Sequence, residues 1–246
     1  MYMKSGNGTE VRTSTAIVLH FLPAIAIAAV YWLVTPWASR VGVPHVAVLL
    51  AAFAVIGIPL QLGIIRRVSR AVGHSVVRFV TPIPLWQHVA GAVLLIAIEF
   101  LLLRVPLGRL SDYLAGHVFQ WMPAAFTPAS DDDLALTGRS ILLPVLLFQL
   151  LIDGIINPLV EERYFRGFLL PQLSRLRLAA PVVSTMFFAI AHFWQPYNYL
   201  SIFVYVLPLT LFTWWRKNYY AQAFVHCFAN SFGATLALAA YFRGNH

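Results

Sequence analysis

Apolar residues fill most of the chain in runs of about twenty, and polar residues lie between the runs or, in one case, inside a run at regular spacing. A helix needs about 20 such residues to cross the hydrocarbon core of a bilayer, so each run predicts a span. The runs cover 15–35, 45–65, 85–103, a stretch from Ile141 to Leu173, then 178–195, 199–215 and 218–242. The third and fourth are separated by residues 104–138, which hold Pro106, Pro123, Pro128 and the acidic run Asp131–Asp133. Within it, 109–122 predicts a short interfacial helix, and the aspartates a solvated loop. The pattern predicts an all-α, polytopic transmembrane helical bundle of seven spans, or eight if 104–138 hides another. One membrane domain is expected, with N-terminal helices in 1–140 and a core in 141–246.

Composition agrees. Hydrophobic residues make up 60% of the chain and charged ones 11%, against roughly 25% charged in a soluble domain. The net charge of +8 does not point to nucleic acid, because the arginines cluster between apolar runs, as in cytoplasmic membrane loops. Arg66, Arg67, Arg70 and Arg78 form the densest cluster. An N-terminus inside the cell puts 12 of the 17 Lys and Arg on the cytoplasmic face. That orientation is therefore expected, in the inner membrane if the cell is bacterial. The first apolar run is too long for a cleaved signal and reads as a span. Cys227 is the one cysteine, so no internal disulfide forms. Tryptophans and tyrosines near helix ends, Trp194 and Tyr197 among them, read as an interfacial aromatic belt. Histidines such as His20 read as interface or loop residues.

The fourth run differs from the rest. Residues 149–170, QLLIDGIINPLVEERYFRGFLL, carry Glu161, Glu162, Arg163 and Arg166 within six positions. A charge at the centre of a membrane helix costs roughly 2.5–3.5 kcal/mol on insertion scales. The group therefore lies at a membrane edge or lines a polar cavity. Gln149, Asp153, Asn157 and Glu161 recur every four residues. Each step of four advances about 40° beyond a full turn, so they form a stripe about 120° wide. Glu162 and Arg166 are also four apart, in the favourable order for an ion pair. Pro158 removes a backbone donor and predicts a kink. Counted at 1.5 Å per residue, Glu161 lies roughly 18 Å from the inner helix end, His192 roughly 21 Å, His226 roughly 12 Å and Asn230 roughly 18 Å. The match in depth favours the cavity. His226 and Asn230 share one helix face, and Phe188 lies where it can pack behind His192. Such a cavity holds a base, a countercharge and hydrogen-bond donors, the parts needed to hydrolyse a peptide bond with an activated water. Glu99, a second intramembrane acid, reads with Asp153 and Asn157 as structural.

Three motifs, EERYFR at 161–166, FAIAH at 188–192 and HCFAN at 226–230, resemble the EExxxR, FxxxH and HxxxN pattern of the CAAX-protease and bacteriocin-processing (CPBP, or Abi) intramembrane endopeptidases. The resemblance covers about 141–242. It implies that Glu161 activates a water, that His192 helps hold it, and that His226 and Asn230 stabilise the oxyanion. Glu162 and Arg166 would keep these groups in place. The implied substrate is a membrane-associated peptide or protein, met in the lipid bilayer, with no nucleic acid partner and no cofactor.

Two other readings use the same residues. Two glutamates and two histidines offer ligands for Zn²⁺, although the closely spaced histidines of zinc-protease motifs are missing. Buried acid, His and Arg sets also mark transport pathways, so a non-catalytic immunity protein, scaffold or transporter is the third reading. The chain has no HExxH, GxSG or GxGD motif, which argues against site-2, rhomboid and presenilin-type chemistry.

Overall fold

The computed structural model describes residues 2–5, 8–11, 13–123, 126 and 138–243. Six helices are long and apolar enough to cross a membrane, and a seventh apolar helix is shorter. The molecule is a polytopic helical bundle. In chain order the elements are α1 (Thr13–Arg40), α2 (His45–Val72), α3 (Leu85–Leu102), α4 (Leu107–His117), α5 (Ser140–Gln172), α6 (Ala179–Ile190), α7 (Tyr199–Arg216) and α8 (Tyr220–Arg243). A small antiparallel hairpin, β1 (Tyr2–Ser5) and β2 (Gly8–Val11), precedes them. Within 104–138 the described residues form the short helix α4 and no span. The aspartate run Asp131–Asp133 lies outside the described residues.

Two departures from the hydropathy reading position the site. The first is the early end of α6. The apolar run continues to 195, but the helix stops at Ile190. Pro196 disfavours helical geometry at the residue before it, and Gln195 is extended at φ −143° and ψ 62°. The chain turns through His192 N–H to Ala189 (3.1 Å) and Gln195 N–H to His192 (2.9 Å). At 1.5 Å per residue α6 is roughly 18 Å long, well short of a bilayer core. His192 thus sits in a turn at depth, beyond the end of the helix.

The second departure is inside α5, which is not one regular helix. Two π-helical segments, Ile152–Ile156 and Glu162–Leu169, flank the α-helical Asn157–Glu161. Bonding to the fifth residue widens a turn and reduces rotation per residue. Positions four apart then lie closer to one line than in an ideal helix, and the polar stripe is straightened. Pro158 falls at the start of the α-helical piece, where the hydrogen-bond register is already changing and its missing donor costs little.

Loosened turns leave carbonyls that need partners. Helix α8 supplies them: Asn230 Nδ2 donates to Asp153 O at 3.0 Å and Ser231 Oγ to Gly154 O at 3.0 Å. Gly154 makes this crossing possible. A Cβ there would lie 2.9 Å from Ser231 Oγ and 3.4 Å from Ser231 Cα.

The other π-segment is packed in aromatic residues. Tyr164, Phe165, Phe168 and Leu169 form a buried cluster with Leu19, Ile65, Val68 and Phe188, and Tyr164 Oη donates to Leu19 O at 2.7 Å. His20, read as an interface residue, is fully buried in α1, with Nδ1 against Ala16 O at 2.7 Å. Trp194 and Tyr197, read as belt residues, also pack into the core. The folded-in turn after α6 carries Trp194 and Tyr197 inward, and His20 is enclosed by Phe165 of α5 and Phe187 of α6.

Candidate active site

A cavity of about 610 Å³ opens between α2, α3, α5, α7 and α8 and the turn after α6. Glu161, Glu162, His192, His226 and Asn230 all line it. The structure thus gathers five of the six candidate residues around one space. Arg166 lies behind that wall, fully buried.

Glu161 and Glu162 are adjacent in sequence and differ in company. Glu162 is 1% exposed. Its Oε1 accepts from His226 Nδ1 at 2.9 Å, and its Oε2 lies 3.4 Å from Arg166 Nε, an ionic contact rather than a hydrogen bond. Glu161, 6% exposed, forms no ion pair among the described residues. Asn157, one turn earlier, holds its carboxamide against the Glu161 carboxyl. One carboxylate is held by a histidine and an arginine, and the other faces the cavity.

Phe188 organises the second layer. The Arg166 guanidinium carbon lies 4.1 Å from its ring centroid, a cation–π stack. His192 meets the same ring edge-on at 4.8 Å and His226 at 6.4 Å. The spacing FAIAH therefore carries a shared aromatic support for Arg166 and both histidines. His192 Nδ1 lies 2.8 Å from Phe188 O. A carbonyl only accepts, so this nitrogen carries the proton, and Nε2 of the neutral ring is an acceptor. His226 Nδ1 likewise donates to Glu162, which fixes the ring's orientation. Asn230 spends one N–H on Asp153 O and keeps a second donor on the same nitrogen.

Several lining residues escaped the sequence reading. Gln222, His226 and Asn230 recur every four residues on α8, a spacing that was available as a signal. Gln222 accepts from Thr213 Oγ1 at 2.7 Å, while its own Nε2 is buried without a partner. Gln195, Asn198, Ser201 and Tyr205 also line the cavity, and the last three fall at i, i+3 and i+7, a helix-face spacing that was likewise available. Glu99, Asp153 and Asn157, read as structural, line it too. No three His, Cys, Asp or Glu side chains are grouped to hold a metal ion among the described residues.

Residues 143–232 match the family model described as type II CAAX prenyl endopeptidase Rce1-like. This is the family that the three motifs resemble, and the matched region contains all three. The match supports a membrane protease of the CAAX type in general. No curated protein matches the chain, and no solved structure does.

Proposed function

We propose that the protein is an intramembrane endopeptidase that hydrolyses peptide bonds of membrane-associated peptides or proteins with a water activated by Glu161. The observation that carries this reading is the gathering of Glu161, His192, His226 and Asn230 around one cavity, with Glu161 unpaired beside a Glu162 that is not.

The chemistry follows from which atoms are free. A water between Glu161 and His192 gives one hydrogen bond to the Glu161 carboxylate and one to His192 Nε2. Glu161 takes a proton as the water oxygen bonds to the scissile carbonyl carbon. The carbonyl electron pair moves to oxygen. His226, protonated and held at Nδ1 by Glu162, presents its Nε2–H to that oxyanion, and Asn230 presents its remaining N–H. When the intermediate collapses, the C–N bond breaks and the leaving nitrogen takes the proton back from Glu161. Donors fixed in a dry site are each worth roughly 2.7–4 kcal/mol in the transition state. Glu162 and Arg166 act through His226, as positioning residues.

The test is Glu161→Gln, reconstituted in lipid, assayed on internally quenched peptides with and without a prenylated cysteine. General-base catalysis contributes typically 10²–10⁴-fold, so kcat is expected to fall by about a thousandfold with the melting temperature unchanged. Cleavage at the wild-type rate overturns the reading. The proposed topology has the N-terminus in the cytoplasm. A reporter active only outside the cytoplasm, fused after Arg243, is expected to be active.

A further inference from the structure

Charge around the cavity is unbalanced. Four carboxylates line it, Glu99, Asp153, Glu161 and Glu162, and no lysine or arginine does among the described residues. Glu162 is neutralised by Arg166 and His226, and Glu161 is the proposed base. Glu99 and Asp153 have no part in the reaction.

Glu99 stands on α3, a helix that carries none of the three motifs. Its Oε1 is buried with no hydrogen-bond partner, and it forms no ion pair among the described residues. His226 of α8 and Tyr205 of α7 lie close enough to interact with it through charge. Asp153 lies two turns before Glu161, deeply enclosed, and the groups acting on it through charge are His226, again, and the like-charged Glu161. One imidazole cannot answer both while it is hydrogen-bonded to Glu162. Ionisable groups at bilayer depth mark substrate pathways, each with a partner to be named. Here no such partner stands among the described residues.

Leu103, Ile202, Val206 and Val225 line the same space and suit the methylene stem of a long basic side chain, which buries its carbons and delivers its charge at the tip. A free C-terminal carboxylate next to the scissile bond would instead add a negative charge to a lining without lysine or arginine.

We infer that the peptide cleaved bears a lysine or arginine near the scissile bond, its cationic head seated on Glu99 with Asp153 as second acceptor, and is cut internally rather than beside a free C-terminus. This rests on the endopeptidase reading of the same cavity and specifies its substrate class.

The experiment uses the full chain in phosphatidylcholine vesicles, which carry no net charge. Internally quenched peptides differ at one residue, Lys, norleucine or Glu, moved along either side of the bond, with the C-terminus amidated or free. The Lys peptide at its best position is expected to exceed its norleucine counterpart at least about tenfold in kcat/KM, with the Glu peptide slowest. A free carboxylate close to the bond is expected to slow cleavage. In Glu99→Gln the Lys-to-norleucine ratio falls to about one, and in Glu99→Lys the order of Lys and Glu peptides reverses. Equal cleavage of Lys and norleucine peptides by the wild type, or an unchanged ratio in Glu99→Gln, overturns the inference and leaves the endopeptidase reading intact. If the wild type cleaves no peptide, or Glu161→Gln cleaves as well as wild type, the endopeptidase reading fails and this inference with it.

Discussion

The wall formed by α5, α6 and α8 and the wall formed by α3 and α7 face the same cavity and treat their polar groups differently. On the first, Glu162 sits between His226 and Arg166, the guanidinium rests on Phe188, His192 is fixed to the Phe188 carbonyl and Asn230 to Asp153. On the second, Glu99 keeps a bare buried oxygen. Partnered groups are oriented in advance, as catalytic geometry requires. Unpartnered ones hold their bonding capacity for something that arrives. The contrast also separates Glu162 from Glu99, two acids at depth that composition treats alike.

Replacing one acid at a time puts the contrast under most strain. Glu162→Gln removes the carboxylate that Arg166 and His226 contact directly, so unfolding in detergent is expected to show a loss of roughly 3–5 kcal/mol, with activity lost as well. Glu99→Gln removes an unpaired charge and is expected to leave the melting temperature level or higher. Equal destabilisation by the two would erase the distinction between the walls.

Next in size is Gly154→Ala. It puts a methyl against Ser231 where α5 and α8 cross, and overpacking of this kind costs roughly 1–3 kcal/mol. Because the same crossing holds Asn230, kcat is expected to drop with the melting temperature. Arg166→Lys keeps the charge and loses the planar stack on Phe188. A desolvated cation–π contact is worth up to about 2 kcal/mol, and the loss should appear in kcat more than in KM, since Arg166 does not line the cavity. Cys227→Ser is the smallest change. The thiol makes only a 3.6 Å contact to Ile155 O, so stability is expected to move by no more than about 0.5 kcal/mol with cleavage unaffected. Loss of cleavage there would point to a thiol nucleophile and away from a water held by Glu161.

The spans were legible because hydropathy reports what a bilayer selects, and the order of elements followed from it. The convergence of Glu161, His192, His226 and Asn230 was legible from spacing and depth, since each lies a countable distance from a helix end. Other features left no such trace. The π-segments depend on which carbonyl a given N–H chooses, and the apolar residues of 152–156 read the same in either register. The early end of α6 comes from Pro196, several residues beyond it. Arg166 behind the wall and Glu99 in it depend on how neighbouring helices are rotated, which one helix does not encode. Glu99 has no partner four residues away, so its sequence context looked structural.

The widened turn at Ile152–Ile156 has a consequence for how this helix tolerates change in length. A chain one residue shorter there closes into an ordinary α-helix, four residues at about 100° each covering nearly the same rotation as the five of the wider turn, so the residues beyond keep their direction. The glutamates keep facing the cavity, and the carbonyls that Asn230 and Ser231 now reach, those of Asp153 and Gly154, take amide partners within their own helix. Such a deletion is expected to lower the melting temperature by loosening the hold of α8 on α5 while leaving Glu161 and Glu162 aimed as before, so the extra residue serves the seam between two helices rather than the direction of the acids.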